Sequence, residues 1–205
     1  MSSLSKIVFA SDNAGKIREV ADIFADLDIA IVPQKDFAIE AAEETGTTFA
    51  DNALIKARHA SVQSGLPAMA EDSGIVVNAL GGRPGVRSAR YAGEEATDEE
   101  NVDKLLAELA DIPDEQRAVG FHCAAVLVFP DCDSAPLTVE AVWRGSILRE
   151  RKGAGGFGYD PVFLDPTAGK TGAQMSRAEK NHVSHRGKAF RELKKLLRQR
   201  QAPTQ

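Results

Sequence analysis

Apolar residues along the chain follow two rhythms, short unbroken runs and runs spaced three or four residues apart, and the two alternate. Ile7-Val-Phe-Ala10 is an apolar run suited to a buried strand. After the polar turn Ser11-Asp-Asn-Ala-Gly15, residues Ile17, Val20, Ala21, Phe24 and Leu27 recur at helical spacing, so the segment reads strand, loop, helix. Ile29 to Val32 reads as a second strand closed by Pro33. Thr48-Phe-Ala-Asp51 has the form of a capping box, and it opens a helix with Phe49, Ala53, Ala57 and Ala60 on one face, stopped by Gly65 and Pro67.

Two short apolar stretches, Pro67–Ala70 and Ile75–Leu80, flank the polar run Glu71-Asp-Ser-Gly74, which predicts two strands with a turn between them. Gly81-Gly-Arg-Pro-Gly85 must be a loop. Thr97-Asp-Glu-Glu100 is a second capping box, heading a helix with Val102, Leu105, Leu106 and Leu109 inside. Phe121–Phe129 and Leu137–Leu148 are rich in strand formers and predict a long antiparallel hairpin across Pro130–Pro136. A glycine-rich loop covers residues 153–158, Ser176-Arg-Ala-Glu179 is a third capping box, and Phe190, Leu193, Leu196 and Leu197 mark a C-terminal amphipathic helix before a frayed tail at 201–205. Helices alternating with strands, plus one hairpin, predict an α/β fold with a mixed sheet over residues 1–200.

Composition adds limits. A chain of 205 residues, 43% hydrophobic and 27% charged, is expected to fold as one domain, or as two lobes sharing a core. The 25 basic and 30 acidic residues leave −5, which argues against a nucleic-acid partner but leaves room for a nucleotide bound by a few lysines. Cys123 and Cys132 match no zinc or redox spacing, so free thiols are expected. With no leader-like N-terminus and no apolar run near the ~18 residues a span requires, a cytoplasmic protein without a membrane partner is expected.

Four segments could carry chemistry. Ser11-Asp12-Asn13-Ala14-Gly15-Lys16 joins a strand to a helix start, where backbone N–H groups and Lys16 suit an anion; a plain capping turn would read the same. It is no Walker A loop, because Ala10 and Ile17 replace the required Gly and Ser/Thr. The acidic pairs Glu43-Glu44 and Glu71-Asp72 offer the carboxylates that Mg²⁺ prefers, although solvent-facing turns also contain such pairs. Asp72, between two apolar stretches, is expected at a strand end facing a cleft. Gly153-Ala-Gly-Gly-Phe-Gly-Tyr-Asp160 lets a ligand approach the backbone closely and offers Phe157 or Tyr159 for stacking on a base. Lys180, His182, His185 and Arg186 form a donor-rich stretch that could hold phosphate or a carbonyl oxygen, or lie on a solvated helix end.

Taken in order, these segments resemble one family, the inosine/xanthosine triphosphate pyrophosphatases. The matching stretches are Ser11–Lys16, Glu43-Glu-Thr-Gly46 with Asn52-Ala53 and Lys56-Ala57, Glu71-Asp-Ser-Gly74, Gly81–Gly85 with Ser88-Ala-Arg-Tyr91, Gly155–Pro161, and Ser184-His-Arg-Gly187. The resemblance implies a curved mixed sheet between two lobes, with flanking helices, an active-site cleft and a homodimer. It implies Mg²⁺ held by Glu43 and Asp72, with Asp72 also the proton acceptor. It assigns the phosphates to Ser11, Asn13 and Lys16 of a substrate-binding loop that also holds Asp12, Ala14 and Gly15, with Lys56 adding charge and Ser73 a further substrate contact. The base falls to Phe157, Gly158, Tyr159 and Asp160, with Lys180, His185 and Arg186 completing the pocket. The implied reaction removes purine nucleoside triphosphates such as ITP, dITP and XTP by attack of water at the α-phosphorus, releasing pyrophosphate. A non-catalytic nucleotide-binding module would keep Lys16 and Phe157 without needing Glu43 and Asp72; a kinase-type phosphotransferase would want a true P-loop.

Overall fold

The structure is a computed structural model, and it describes residues 4–131 and 134–201. Strand β1 (Lys6–Phe9) leads into α1 (Ala14–Phe24), whose start is fixed by the Asn13 side chain accepting the Lys16 N–H at 3.0 Å. Strand β2 (Ala30–Pro33) follows, then a short 3₁₀ turn at Gln34–Phe37. Helix α2 (Phe49–Ser64) begins where Thr48 accepts the Asp51 N–H, and it ends at Gly65 in the left-handed conformation, φ +67°.

The region after α2 departs from its sequence reading. Residues 68–77 form one continuous strand, β3 (Ala68–Val77), instead of two strands around a turn. Glu71 and Asp72 therefore lie in mid-strand, both buried, with Asp72 not at a strand end. A polar run survives inside a strand only when distant partners satisfy it, and those partners are described below. Gly74 has its own reason: any Cβ there would overlap the Ser88 hydroxyl and lie 2.5 Å from the Gly85 carbonyl. Residues 78–80 turn as a 3₁₀ helix instead of extending the strand.

Helix α3 (Asp98–Glu108) carries the full Thr97/Glu100 capping box. Strands β4 (Ala118–Val128) and β5 (Leu137–Ile147) are sheet neighbours, joined by a connection that contains Cys132, outside the described residues. Strands β6 (Phe163–Asp165) and β7 (Lys170–Thr171) are too short to leave a periodic signal. Helices α4 (Arg177–Val183) and α5 (His185–Gln201) close the chain; the expected tail at 201–205 otherwise falls outside the described residues. The sheet order is β2-β1-β3-β4-β5-β6-β7, parallel at β1–β2 and β1–β3 and antiparallel at β5–β6 and β6–β7, so the sheet is mixed as expected.

Two compact units form, one from residues 1–72, 123–141 and 186–205, the other from 73–122 and 142–185. In the first, Phe9 and Phe24 of the sheet–α1 layer meet Phe190 of α5 edge-on, at 5.8 and 6.3 Å. Burying each such ring stabilises by about 1.5–3 kcal/mol. Its second cluster is built from Ala53, Ala57 and Ala60 of α2 against Ala68, Ala70 and Ala124, small side chains that let α2 lie close on the strands. In the second unit, Phe121, Trp143 and Phe163 pack at 4.4–6.1 Å in one cluster with Leu105 of α3 and Leu109 just past its end.

Candidate active site

The first unit carries the phosphate-loop candidates. Ser11 Oγ accepts the Asn13 N–H at 3.2 Å, and Asp12 accepts from Gln34 Nε2 at 2.8 Å. Ala14, Gly15 and Lys16 form the first turn of α1, where the helix N–H groups carry partial positive charge. Lys16 Nζ sits 2.9 Å from Glu71 Oε1.

Glu71 is the centre of a buried ionic network. Arg186 donates to it twice, Nε to Oε2 at 2.9 Å and Nη2 to Oε1 at 2.7 Å, and donates from Nη1 to Glu19 Oε2 at 2.6 Å. The Cys123 thiol donates to Glu71 Oε2 at 3.2 Å. Burial alone would push the Glu71 carboxyl up, but Arg186 and Lys16 override it and hold the group well below the usual carboxylate range. Burial likewise opposes the Arg186 charge, and the Glu71 and Glu19 carboxylates reverse that and raise it. Burial and the neighbouring Glu71 push the Cys123 thiol well up, so it stays a neutral donor. Arg186 was expected to read a base; here its donors are taken up by carboxylates, and its exposure is 2%.

Asp72 faces the other way along β3. Asn52 Nδ2 donates to its Oδ2 at 3.1 Å, and Lys56 Nζ lies 3.6 Å from its Oδ1. Lys56 also pairs with Glu44 Oε1 at 2.7 Å. Burial raises the Asp72 carboxyl, Lys56 pulls it down, and the like charge of Glu44 pushes it up again; the net direction is upward. A carboxylate displaced toward neutral pH suits a proton acceptor. Glu43 is exposed, and Ser73 follows Asp72 on β3, half-buried. Among the described residues no three His, Cys, Asp or Glu side chains form a ready-made metal cage. Mg²⁺ commonly takes only one or two carboxylates and draws the rest of its shell from phosphates and water.

The second unit holds the remaining candidates. Asp160, 2% exposed, bonds Lys180 Nζ at 2.6 Å and accepts the Phe157 N–H at 2.9 Å. Lys180 Nζ lies 4.6 Å from the centre of the Phe157 ring. Gly156 has φ +74°, and a Cβ there would overlap Asp160 Oδ2, so the loop folds this tightly only with glycine. The Gly158 N–H donates to Asp98 Oδ2 at 2.7 Å, at the first turn of α3. Tyr159 is buried and donates its hydroxyl to the Ser88 carbonyl at 2.8 Å; burial drives its phenol up. Its ring is therefore core, whereas Phe157 is half-buried. His185 is stacked on Phe121, with centroids 4.6 Å apart and planes 3° off parallel.

The structure thus brings Lys16 to Glu71, Lys56 to Asp72 and Glu44, and Lys180 to Asp160 and Phe157. Sequence reading passed over Glu19 and Cys123 as site neighbours, since nothing local distinguishes them. Asn52 was more visible: a polar residue beside the alanine stripe of α2, fully buried.

The sequence profile described as the Ham1 family matches residues 7–196. A Shigella flexneri protein named dITP/XTP pyrophosphatase is 51% identical over 195 residues, covering 95% of this chain and 99% of the relative. Its namesake from Escherichia coli (strain K12) is 49% identical over the same shares. A solved HAM1 protein from Coxiella burnetii superposes with a TM-score of 0.88 at 46% identity, covering 96% of this chain and 100% of that one. The nucleoside-triphosphatase / dITP/XTP pyrophosphatase of Mycobacterium abscessus gives 0.72 at 42% identity, over 94% and 98%.

Proposed function

The chain belongs to the Ham1 family, and we propose that it is a hydrolase cleaving inosine- and xanthosine-type purine nucleoside triphosphates to the monophosphate and pyrophosphate, cleansing the nucleotide pool. The carrying observation is Asp72: a buried carboxylate displaced upward, gripped by Asn52 and Lys56 on the strand that also anchors Lys16. A nucleotide-binding module has no use for that arrangement. The relatives named dITP/XTP pyrophosphatase support the substrate class, ITP being the further member that the resemblance implies.

Asp72 accepts the proton of a water molecule as the oxygen attacks the α-phosphorus. The bond to the bridging oxygen breaks, and pyrophosphate leaves. Lys16 and the first turn of α1 bind phosphate oxygens, and Lys56 adds charge that grows in value as the phosphates gain charge in the transition state. The donor set fits Mg²⁺. Asp72 remains displaced upward despite Lys56, which a further cation would relieve, and Glu43 is exposed with no ion pair of its own among the described residues. Asp72 and Glu43 would hold the ion, which when bound neutralises and aligns the triphosphate. In the second unit Phe157 offers its ring to the base and Lys180 a donor to the C6 carbonyl, which adenine lacks.

The same resemblance supports a homodimer, and the sequence reading a cytoplasmic location; among the described residues no helix is long and apolar enough to cross a membrane. The test of the reaction is product chromatography after mixing protein, Mg²⁺ and ITP. IMP and pyrophosphate are expected; IDP and orthophosphate would overturn the reading.

A further inference from the structure

Asn52 is fully buried, and both halves of its amide are engaged. Its Oδ1 accepts the Gly46 N–H at 2.8 Å, and its Nδ2 donates to Asp72 Oδ2 at 3.1 Å. Lys56, one turn further along α2 and on the same face, reaches the other oxygen of Asp72 at 3.6 Å. Each carboxylate oxygen thus has its own partner from a single rigid helix. We propose that Asn52 is a positioning residue that fixes the rotation of the Asp72 carboxylate for the hydrolytic step, an inference that rests on the pyrophosphatase reading above.

Lys56 alone cannot set that plane, because one contact to one oxygen leaves rotation about the terminal bond open. Asn52 supplies the second point. Its other bond ties down the segment two residues beyond Glu44, whose Oε1 is 2.7 Å from Lys56 Nζ. The approach is close: a Cβ on Gly46 would lie 2.7 Å from Asn52 Oδ1 and 2.6 Å from the Asp51 Cβ. One short amide therefore orients Asp72 and holds the acidic segment onto the first turns of α2. Aspartate lacks the donor, glutamine is a methylene too long, and serine has too few atoms to reach both partners. Asn52 directs its donor at the proposed proton acceptor and its acceptor at the Gly46 backbone.

The test uses the full chain with ITP and Mg²⁺. Asn52→Leu keeps the shape and removes both bonds; Asn52→Asp keeps the acceptor for Gly46 and loses the donor to Asp72. Circular dichroism identifies the variants that fold, and the charge-conserving exchange Asn52→Asp with Asp72→Asn, which retains a reversed hydrogen bond, provides a folded reference. For a folded single variant, kcat is expected to fall about 30-fold or more with KM within about threefold, because orientation of a catalytic group acts on the transition state. Adding Asn52→Leu to Asp72→Asn should leave the residual rate within about twofold. A single variant within threefold of wild-type kcat, a loss confined to KM, or a full further loss in the Asp72→Asn background would each overturn the inference. A wild-type chain that releases no pyrophosphate would instead overturn the pyrophosphatase reading itself.

Discussion

Replacing Arg186 with methionine separates two roles that the sequence left open for this residue. Methionine fills similar volume without charge, so the perturbation is the loss of three donor contacts, at 2.9, 2.7 and 2.6 Å, to Glu71 and Glu19. Lys16, 21% exposed, still pairs with Glu71. Breaking a buried pair by removing one partner typically costs about 3–5 kcal/mol. An independent bound agrees: a stranded carboxyl can escape by taking a proton, and moving a group of ordinary value 4.5 to its neutral form at pH 7 costs roughly 3.4 kcal/mol, at about 1.36 kcal/mol per pH unit. At about 2–4 °C per kcal/mol for a chain of this size, Tm should fall by roughly 6–20 °C. The pH dependence has a definite sign. In the native chain Glu71 is depressed, so its contribution is present above its ordinary value and lost as pH falls through the folded one; in Arg186→Met the stranded carboxyl costs more as pH rises. The gap in Tm between the two proteins should therefore narrow from pH 7 to about pH 5. Thermal unfolding followed by circular dichroism measures this, and kcat/KM for ITP and ATP is measured beside it. A Tm within about 2 °C of wild type, together with an ITP/ATP ratio reduced tenfold or more, would refute the structural reading and return Arg186 to the base.

Asp72→Asn should lower kcat by roughly 10²–10⁴-fold with an unchanged circular dichroism spectrum, the usual size of a lost general base; activity within about threefold would refute the assignment. Chelation with EDTA should abolish pyrophosphate release, and Glu43→Gln should raise the Mg²⁺ concentration needed for half-maximal rate several-fold, read from a metal titration at fixed ITP. Lys180→Met should reduce kcat/KM for ITP about tenfold or more beyond its effect on ATP, the value of one unmet hydrogen bond of about 1–3 kcal/mol; equal losses would make Lys180 only the ion-pair partner of Asp160. Glu179 is held at about 2 by its bonds to Lys170 and Ser176, so Glu179→Gln should lower Tm at pH 7 by an amount that shrinks as pH falls below about 4 toward 2.

The sequence by itself determined whatever a few neighbouring residues can decide. Asn13, Thr48, Thr97 and Ser176 start their helices because a side-chain oxygen reaches an N–H three residues on, a bond set entirely within one turn. The apolar runs placed β1, β2, β4 and β5 to within a few residues, and the glycines of 153–158 marked the loop around Asp160. The motifs drew attention to Lys16, Phe157 and Lys180 because each stands in or beside a capped helix turn or a glycine run. What the tertiary structure alone decided is where charge can be buried. Glu71 reads as a turn residue because its neighbours are polar, yet it lies inside a ten-residue strand, since Arg186, 115 residues away in the chain, neutralises it. Arg186 in turn reads as an exposed donor until Glu71 and Glu19 are brought to it. Tyr159 passes for a stacking face until its hydroxyl finds the Ser88 carbonyl, 71 residues distant. Solvation of a charge or a hydroxyl depends on partners that the fold assembles from afar, and no local pattern records them.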